Sequence, residues 1–234
     1  MEKSDVKLVI DCGFQTPAAI SQVCDYNKIT HYFVSHIHGD HAGGLEEIAF
    51  RGYFSEHKPY LIIGTELMPT LWTNYLCGSL RNLVLPNGSL DLVATLSTYF
   101  NLHQCEPMKW YSLGESGLHL VLYAVRHVGS KVAYAILIRD GDSEKQVLFT
   151  CDAVWGNKLP YGAANLIFHE CSFSPKLPAS VHTHAEELLS FMEPTIQEKT
   201  VCVHYDDSVL ERGVLGEMDI APLRLAKPFE VFEI

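Results

Sequence analysis

No apolar run in this 234-residue chain approaches the roughly 18 residues that a membrane-spanning helix needs, so no membrane association is expected. The first seven residues carry no apolar core of a signal peptide. No two cysteines have the C-x-x-C spacing, and the seven present, at 12, 24, 77, 105, 151, 171 and 202, are odd in number. That argues against a secreted disulfide framework and for a reducing compartment, so the expected location is cytoplasmic. Positive charge is scarce: 17 Lys and Arg stand against 28 Asp and Glu, for a formal net charge of −11. Proteins that grip tRNA or duplex DNA usually carry a basic footprint. Stable nucleic-acid binding is therefore not expected, whereas a small phosphorylated substrate is not excluded. Repeats, low-complexity tracts and Pro/Gly-rich linkers are also missing, so residues 1–234 are expected to form one domain. At 47% hydrophobic and 19% charged residues the composition is that of an ordinary globular protein.

Histidine is abundant, with 12 in the chain. Its placement needs a frame of elements. Residues 6–11 (VKLVID), 31–35 (HYFVS) and 60–63 (YLII) are short apolar runs rich in β-prone residues, hence buried strands. Thr16-Pro17 opens a helix that should run to about residue 27. Residues 36–44 read as a loop, and Leu45, Ile48, Ala49 and Tyr53 recur at helical spacing. The stretch 66–102 reads as mostly helical, interrupted by Pro69 and by Pro86-Asn87-Gly88. Strands are expected at 118–125, 132–138 and 147–150, with a hairpin turn at Asp140-Gly141-Asp142. Further strands are expected at 166–168, 201–203 and 229–232, and a short helix at 185–192. Strands alternating with helices, plus hairpins, imply an α/β protein with two mixed sheets and outer helices.

The densest chemical signal is His36-Ile37-His38-Gly39-Asp40-His41, directly after a predicted strand. A loop leaving a strand end can turn several imidazoles and a carboxylate toward one point. His36 and His38 alternate and can face one ion, while Asp40 and His41 can face a second. Imidazole with carboxylate suits Zn²⁺, and Mn²⁺ or Fe can also be held by such a set.

This H-x-H-x-D-H loop resembles that of the metallo-β-lactamase superfamily, and further signatures follow in the family's order. Asp11 ends the strand LVID, His127 ends LYAVRH, Asp152 ends VLFTCD, and His204 lies in VCVHYDD. The resemblance implies an αββα sandwich and a two-metal site. One ion would take His36, His38 and His127, the other Asp40, His41 and His204, with Asp152 bridging them. Asp11 would anchor the ligand loop from outside the ligand set. Paired divalent ions activate water and clamp the oxygens of a scissile group, so hydrolysis is the expected reaction class.

Two more elements narrow the branch. His169-Glu170-Cys171 follows an apolar run, and Val181-His182-Thr183-His184 precedes a helix. Together they resemble the H-E-A-T and H-S-T elements of RNase Z-like phosphodiesterases. The resemblance makes His182 the acid or phosphate contact and Glu170 its orienting partner. His184 stands where that family has threonine, and a solvent-exposed position is expected for it. Only ten residues precede Asp11, so the family's N-terminal strands look shortened, leaving an open sheet edge along residues 6–11. The 25 residues from His127 to Asp152 leave room for a hairpin but not for a tRNA-gripping arm. The segments VSHIHGDHAGGL, VHTHAEELL and KTVCVHYDD are also similar to the anti-Pycsar proteins, phage-encoded and related bacterial enzymes that hydrolyse cyclic nucleotides. The resemblance thus implies a dinuclear zinc phosphodiesterase acting on a small phosphodiester such as a cyclic nucleotide. Thioester or lactone hydrolysis would explain the ligands but not the Glu170/His182 pair. An RNase Z-like nuclease would use the same ligands and the same pair, and a catalytically silent module would bind metal without turnover. RNase Z-like proteins are typically homodimers, and a homodimer is expected here. Its contact would lie on the open edge or on the aromatic region around Phe50, Tyr53, Phe54, Leu71, Trp72 and Tyr75.

Overall fold

The chain opens with a hairpin of two strands, β1 (Glu2–Lys3) and β2 (Val6–Ile10). Then follow α1 (Thr16–Val23), β3 (His31–Val34), α2 (Gly39–Ala42), α3 (Leu45–Phe54), β4 (Tyr60–Gly64), α4 (Leu67–Leu71), a π turn over Trp72–Leu76, and α5 (Cys77–Leu80). A small hairpin of β5 (Leu83–Val84) and β6 (Leu90–Asp91), a short α6 (Leu96–Tyr99) and β7 (Asn101–Cys105) complete the first of two compact units, Met1–Lys109. The computed structural model describes every residue except 86, 92, 93, 130, 175, 206–208 and 210–219.

In the first unit the strand order is β1-β2-β3-β4-β7, with β2, β3, β4 and β7 parallel. A central parallel strand is covered on both faces and so reads as a continuous apolar run rather than an alternating one. All four residues of β3 are accordingly buried, as are Leu61, Ile62 and Ile63 of β4. Because β2 and β3 run the same way, their carboxyl ends deliver Asp11 and Ser35-His36 to one edge of the sheet.

The second unit, Trp110–Ile234, is built from β8 (Trp110–Ser112), β9 (Leu118–Val125), β10 (Ala133–Asp140), β11 (Gln146–Phe149), β12 (Leu166–Glu170), α7 (Ala185–Phe191), α8 (Pro194–Gln197), β13 (Thr200–Val203) and β14 (Arg224–Leu225). Its seven strands lie in the order β14-β13-β12-β11-β10-β9-β8. The run β11 to β14 is parallel, and β8 to β11 is antiparallel. This topology points β9, β11, β12 and β13 the same way. Their carboxyl ends therefore lead into His127, Asp152, Glu170 and His204 along one sheet edge. Between His127 and Asp152 the described chain forms only the β10–β11 hairpin, as the short spacing requires.

Several expectations are corrected. The first helix stops at Val23, where Cys24 turns extended, and residues Tyr26–Lys28 form a separate 3₁₀ turn. The loop 36–44 contains the single turn α2. The stretch 66–102 is not mostly helical: it breaks into short helical turns and the β5–β6 hairpin, and its end begins the parallel strand β7. Residues 86, 92 and 93 of that stretch lie outside the described residues, as do Asp206 and Asp207 of the VCVHYDD segment. No strand forms at 229–232, because Phe229 and Val231 are solvent-exposed at 60% and 84%. Nor are residues 6–11 open throughout: β1 pairs with Val6 and Lys7, and the Met1 amino group donates to the Leu8 carbonyl while Leu8 N–H donates back to Met1. Of the aromatic region expected as a contact, Leu71 is wholly buried core, while Phe54 is exposed. Among the described residues no helix is long and apolar enough to cross a membrane.

Candidate metal centre and acid–base pair

In the first unit the histidine loop is held by Asp11. This residue adopts a left-handed backbone with φ of 59°, an uncommon conformation for a side chain other than Gly, Asn or Asp. Its Oδ1 accepts the Ser35 backbone N–H at 2.7 Å, and its Oδ2 accepts from the Ser35 hydroxyl at 2.8 Å and from His41 Nδ1 at 2.7 Å. With its hydrogen on Asp11, the Ser35 hydroxyl is left to accept from His36 Nδ1 at 3.0 Å. His36 Nε2 then lies 2.9 Å from His38 Nδ1, and His41 Nε2 lies 3.6 Å from Asp40 Oδ2. His36 and His41 are buried, and the Asp40 side chain is exposed.

The approach of the two loops is set by glycine. A Cβ on Gly13 would sit 2.0 Å from the Asp40 carbonyl oxygen, so no other residue fits there without moving the ligand loop. Cys12 N–H donates to the His41 carbonyl and Gly44 N–H to the Cys12 carbonyl, stitching residues 11–14 to the turn that carries Asp40 and His41.

In the second unit Asp152 is 2% exposed. Its Oδ2 is 3.6 Å from His127 Nε2 and its Oδ1 is 3.3 Å from His204 Nδ1. His127 Nδ1 donates to the Val181 carbonyl at 3.2 Å, which turns Nε2 toward Asp152. His204 and Cys151, both at strand ends beside Asp152, hold positive φ of 54° and 47°. Residues kept in such sparsely populated conformations recur where geometry is functional. Asp152, Glu170, His182 and His204 each place one ligand atom within 4.8 Å of the others.

Glu170 and His182 come together as expected. His182 Nδ1 donates to Glu170 Oε2 at 2.5 Å, and the Thr183 backbone N–H donates to Glu170 Oε1 at 3.2 Å. Glu170 is almost fully buried, and burial pushes its pKa up to about 7. The nearby Asp152 carboxylate raises it further, while the bonds from His182 and Thr183 pull the other way. The His182 side chain remains partly open to solvent. Behind Glu170, His169 is wholly buried, donates from Nδ1 to the Glu170 carbonyl at 2.7 Å, and meets the Tyr161 hydroxyl through Nε2 at 3.0 Å. Burial pushes its pKa down to about 4.

His184 corrects its expectation. It is only 5% exposed. Its Nδ1 donates to the Ser174 carbonyl at 2.8 Å, its Nε2 accepts from the Ser180 hydroxyl at 2.6 Å, and its backbone N–H is capped by Glu187 at 3.1 Å. A buried imidazole satisfied on both nitrogens is a strut between Ser174 and Ser180, close in the chain to His182.

These residues fit divalent metal. A metal-ligating histidine usually donates its second ring N–H to a carboxylate, hydroxyl or carbonyl, which fixes the tautomer and frees the other nitrogen. His41 does so to Asp11, His36 to Ser35 and His127 to Val181. Ser35 supports a ligand in this way, Thr183 bonds Glu170, and Tyr161 and Ser180 bond the buried His169 and His184; none of the four carried a signal in the sequence, since each acts through a partner brought up by the fold.

Comparison with known proteins agrees with this geometry. The family model described as anti-Pycsar protein Apyc1 matches residues 1–223. The chain belongs to the anti-Pycsar Apyc1 family. Anti-Pycsar protein Apyc1 of Paenibacillus harenae is 30% identical over 241 aligned positions, covering 100% of this chain and 91% of that protein. The Apyc1 protein of Paenibacillus sp. (strain J14) is 33% identical, covering 92% and 84%. Among solved structures, the metallo-β-lactamase fold protein YhfI of Bacillus subtilis superposes with a TM-score of 0.68 at 16% identity, covering 95% of this chain and 83% of that one. The likeness shows that this anti-Pycsar relative has the metallo-β-lactamase fold.

Proposed function

We propose that this chain is a metal-dependent phosphodiesterase that hydrolyses a 3′,5′-cyclic nucleotide, and that the whole chain works as one metallo-β-lactamase-like domain. The reading rests on the His182–Glu170 hydrogen bond, set among ligand-type atoms of Asp152 and His204. Metal binding is assigned to His36, His38, Asp40, His41, His127, Asp152 and His204. Two divalent ions at those groups would supply Lewis-acid charge beside the phosphate. Zinc is the proposed metal, because four-coordinate imidazole and carboxylate sets suit it. Family membership brings the small cyclic substrate forward, since the matched relatives bear the anti-Pycsar name.

The protein's own part in the reaction follows from the acid–base pair. Glu170 holds the hydrogen on His182 Nδ1, so the ring presents Nε2 outward. On protonation that nitrogen donates a hydrogen bond to a phosphate oxygen or hands its proton to the departing sugar oxygen. Water adds to phosphorus, one P–O ester bond breaks, and a nucleoside monophosphate leaves. A carboxylate that orients and charges an imidazole is effective acid–base design. We assign to Asp40, exposed beside His41, action on the incoming water as well as metal binding.

We assign the chain to the cytoplasm, which the free state of all seven cysteines supports. A homodimer is part of the same reading. Exposed apolar side chains such as Phe191 and Val23, 69% and 63% accessible, are the kind of surface a second copy covers. The test is turnover of 3′,5′-cyclic nucleotides, bis-p-nitrophenyl phosphate and S-lactoylglutathione with added Zn²⁺ or Mn²⁺. Cleavage of the two phosphodiesters and not of the thioester is expected. The reverse result would replace the phosphodiesterase with a thioester hydrolase.

A further inference from the structure

Phe14 is 69% exposed, yet it is firmly mounted on the histidine loop. Its ring lies along one turn of α2. A Cβ on Gly39 would meet Phe14 Cε2 at 2.4 Å, and one on Gly43 would meet Cδ1 and Cε1 at 2.4 Å. The ring therefore spans from Gly39 to Gly43, resting on bare backbone where any side chain would lift it off. Gly13, the preceding residue, is locked against the Asp40 carbonyl, so the mount shares its footing with that ligand. An apolar ring held this rigidly but left largely in water gains little from burial. Its open face is available to a flat partner.

The surroundings define that partner. Phe14, Gly43, Glu46, Phe50 and Phe54 line an open groove of about 730 Å³. Glu47, also on its wall, is neutralised by Arg51, from which its carboxylate accepts a bond at 2.7 Å, whereas Glu46 has an exposed side chain on the rim. A rim carboxylate repels phosphate and accepts hydrogen bonds from ring amino groups. Phe14 joins this groove to the short turn Gly39–Ala42 that carries Asp40 and His41. From the π turn, the Tyr75 hydroxyl closes the other side of Gly39, 3.4 Å from where a Cβ would stand.

We propose that Phe14 is a specificity-determining residue, the stacking platform for the heterocyclic base of the nucleotide, with the Glu46 carboxylate facing the base's amino group. This deepens the cyclic-nucleotide reading and rests on it. Stacking on an aromatic ring tolerates any base, because every base offers a π face. The substrate is thus selected for being a nucleotide, while the identity of the base is read only weakly through Glu46.

The experiment separates base binding from turnover. Calorimetry compares adenosine 5′-monophosphate with ribose 5-phosphate on the metal-loaded parent, Phe14→Ala, Phe14→Leu and Phe14→Trp. Kinetics compares 3′,5′-cyclic adenosine monophosphate with the 3′,5′-cyclic phosphate of the abasic sugar. In the parent the base should tighten binding about 5- to 100-fold, the range that alanine substitution of stacking residues reports. Phe14→Ala should erase most of that difference, and Phe14→Leu part of it; in both, KM should rise for the base-bearing substrate alone with kcat held. Phe14→Trp should keep the difference. Equal binding of the two ligands by the parent overturns the proposal. So does a Phe14→Ala variant that keeps the difference, or one that weakens both ligands alike, which would make Phe14 a mere support of the loop. If the base tightens binding but cyclic adenosine monophosphate is not cleaved, the cyclic-nucleotide reading fails while the stacking platform stands.

Discussion

Asp11 Oδ2 receives the Nδ1–H of His41 at 2.7 Å across 30 residues of chain. The same carboxylate group binds both the backbone and the hydroxyl of Ser35, and Ser35 in turn holds His36. One side chain outside the proposed ligand set therefore orients two ligands. Asp11→Asn should weaken metal affinity about 10- to 100-fold, the usual effect of removing such a partner. Competition against a chromogenic chelator measures it. Unchanged affinity would mean that the loop is oriented by its backbone bonds to Cys12 and Gly44 alone.

The proposed ligand set predicts close to two ions per chain by elemental analysis. His36→Ala and Asp152→Ala should each lower that content. Stripping the ions with a chelator should lower the thermal midpoint, because metal held only by the folded chain adds its binding free energy to stability. Two variants that bind metal as the parent does would show that the ligands have been misassigned.

The metal loop was legible because it is local: four candidate ligands lie within six consecutive residues, His36 to His41. The partners Glu170 and His182 were legible only through the resemblance, being twelve positions apart and joined by the fold. Other features left no trace. Strand β7 has no alternation of buried and exposed residues for a period-2 pattern to detect. The turn α2, four residues long, is too short for any periodicity. Residues 229–232 are apolar enough for a strand, but Phe229 and Val231 end up in water while Phe232 packs edge-on against Phe168, so composition there misled. His184 looked like a surface residue because its partners, Ser174 and Ser180, are polar loop residues that only tertiary structure brings to it.

If His182 Nε2 delivers a proton in the cleavage step, its loss should cost turnover and not metal. His182→Ala should lower kcat on a phosphodiester by about 10²- to 10⁴-fold, the range for general acids, with metal content unchanged. Glu170→Gln should fall in the same direction by less, since it only orients the ring. A His182→Ala loss well under tenfold would remove its catalytic role.

His169 gives the fold an acid limit. It is buried and neutral, with its pKa pushed down to about 4 from 6.5. The unfolded chain binds this proton more readily than the folded one between those values. Stability from this group is therefore complete above pH 6.5 and is lost as pH falls toward 4. A gap of that size corresponds to about 3 kcal/mol. Urea midpoints should drop over that window in the parent and drop less steeply in His169→Gln. Parallel curves for the two proteins would show that other groups set the acid limit.

His184 ties Ser174 and Ser180 together at the base of the segment that presents His182. Substituting His184→Ala removes its bonds to the exposed Ser174 and the half-buried Ser180, where water can take up part of the loss, so the cost should be about 1 kcal/mol. The loss should fall on the segment rather than on the ligands, because the bonds of the His184 ring go to the two serines. The expected result is a lower unfolding midpoint, intact metal content, and a reduced kcat that tracks the freedom gained by His182. His184→Asn can replace the bond to one serine but not both, and should fall between parent and alanine. Hydrogen exchange over residues 176–184 should speed up in the same order. If exchange there is unchanged while kcat still falls, His184 acts on the chemistry directly and its role as a strut is wrong.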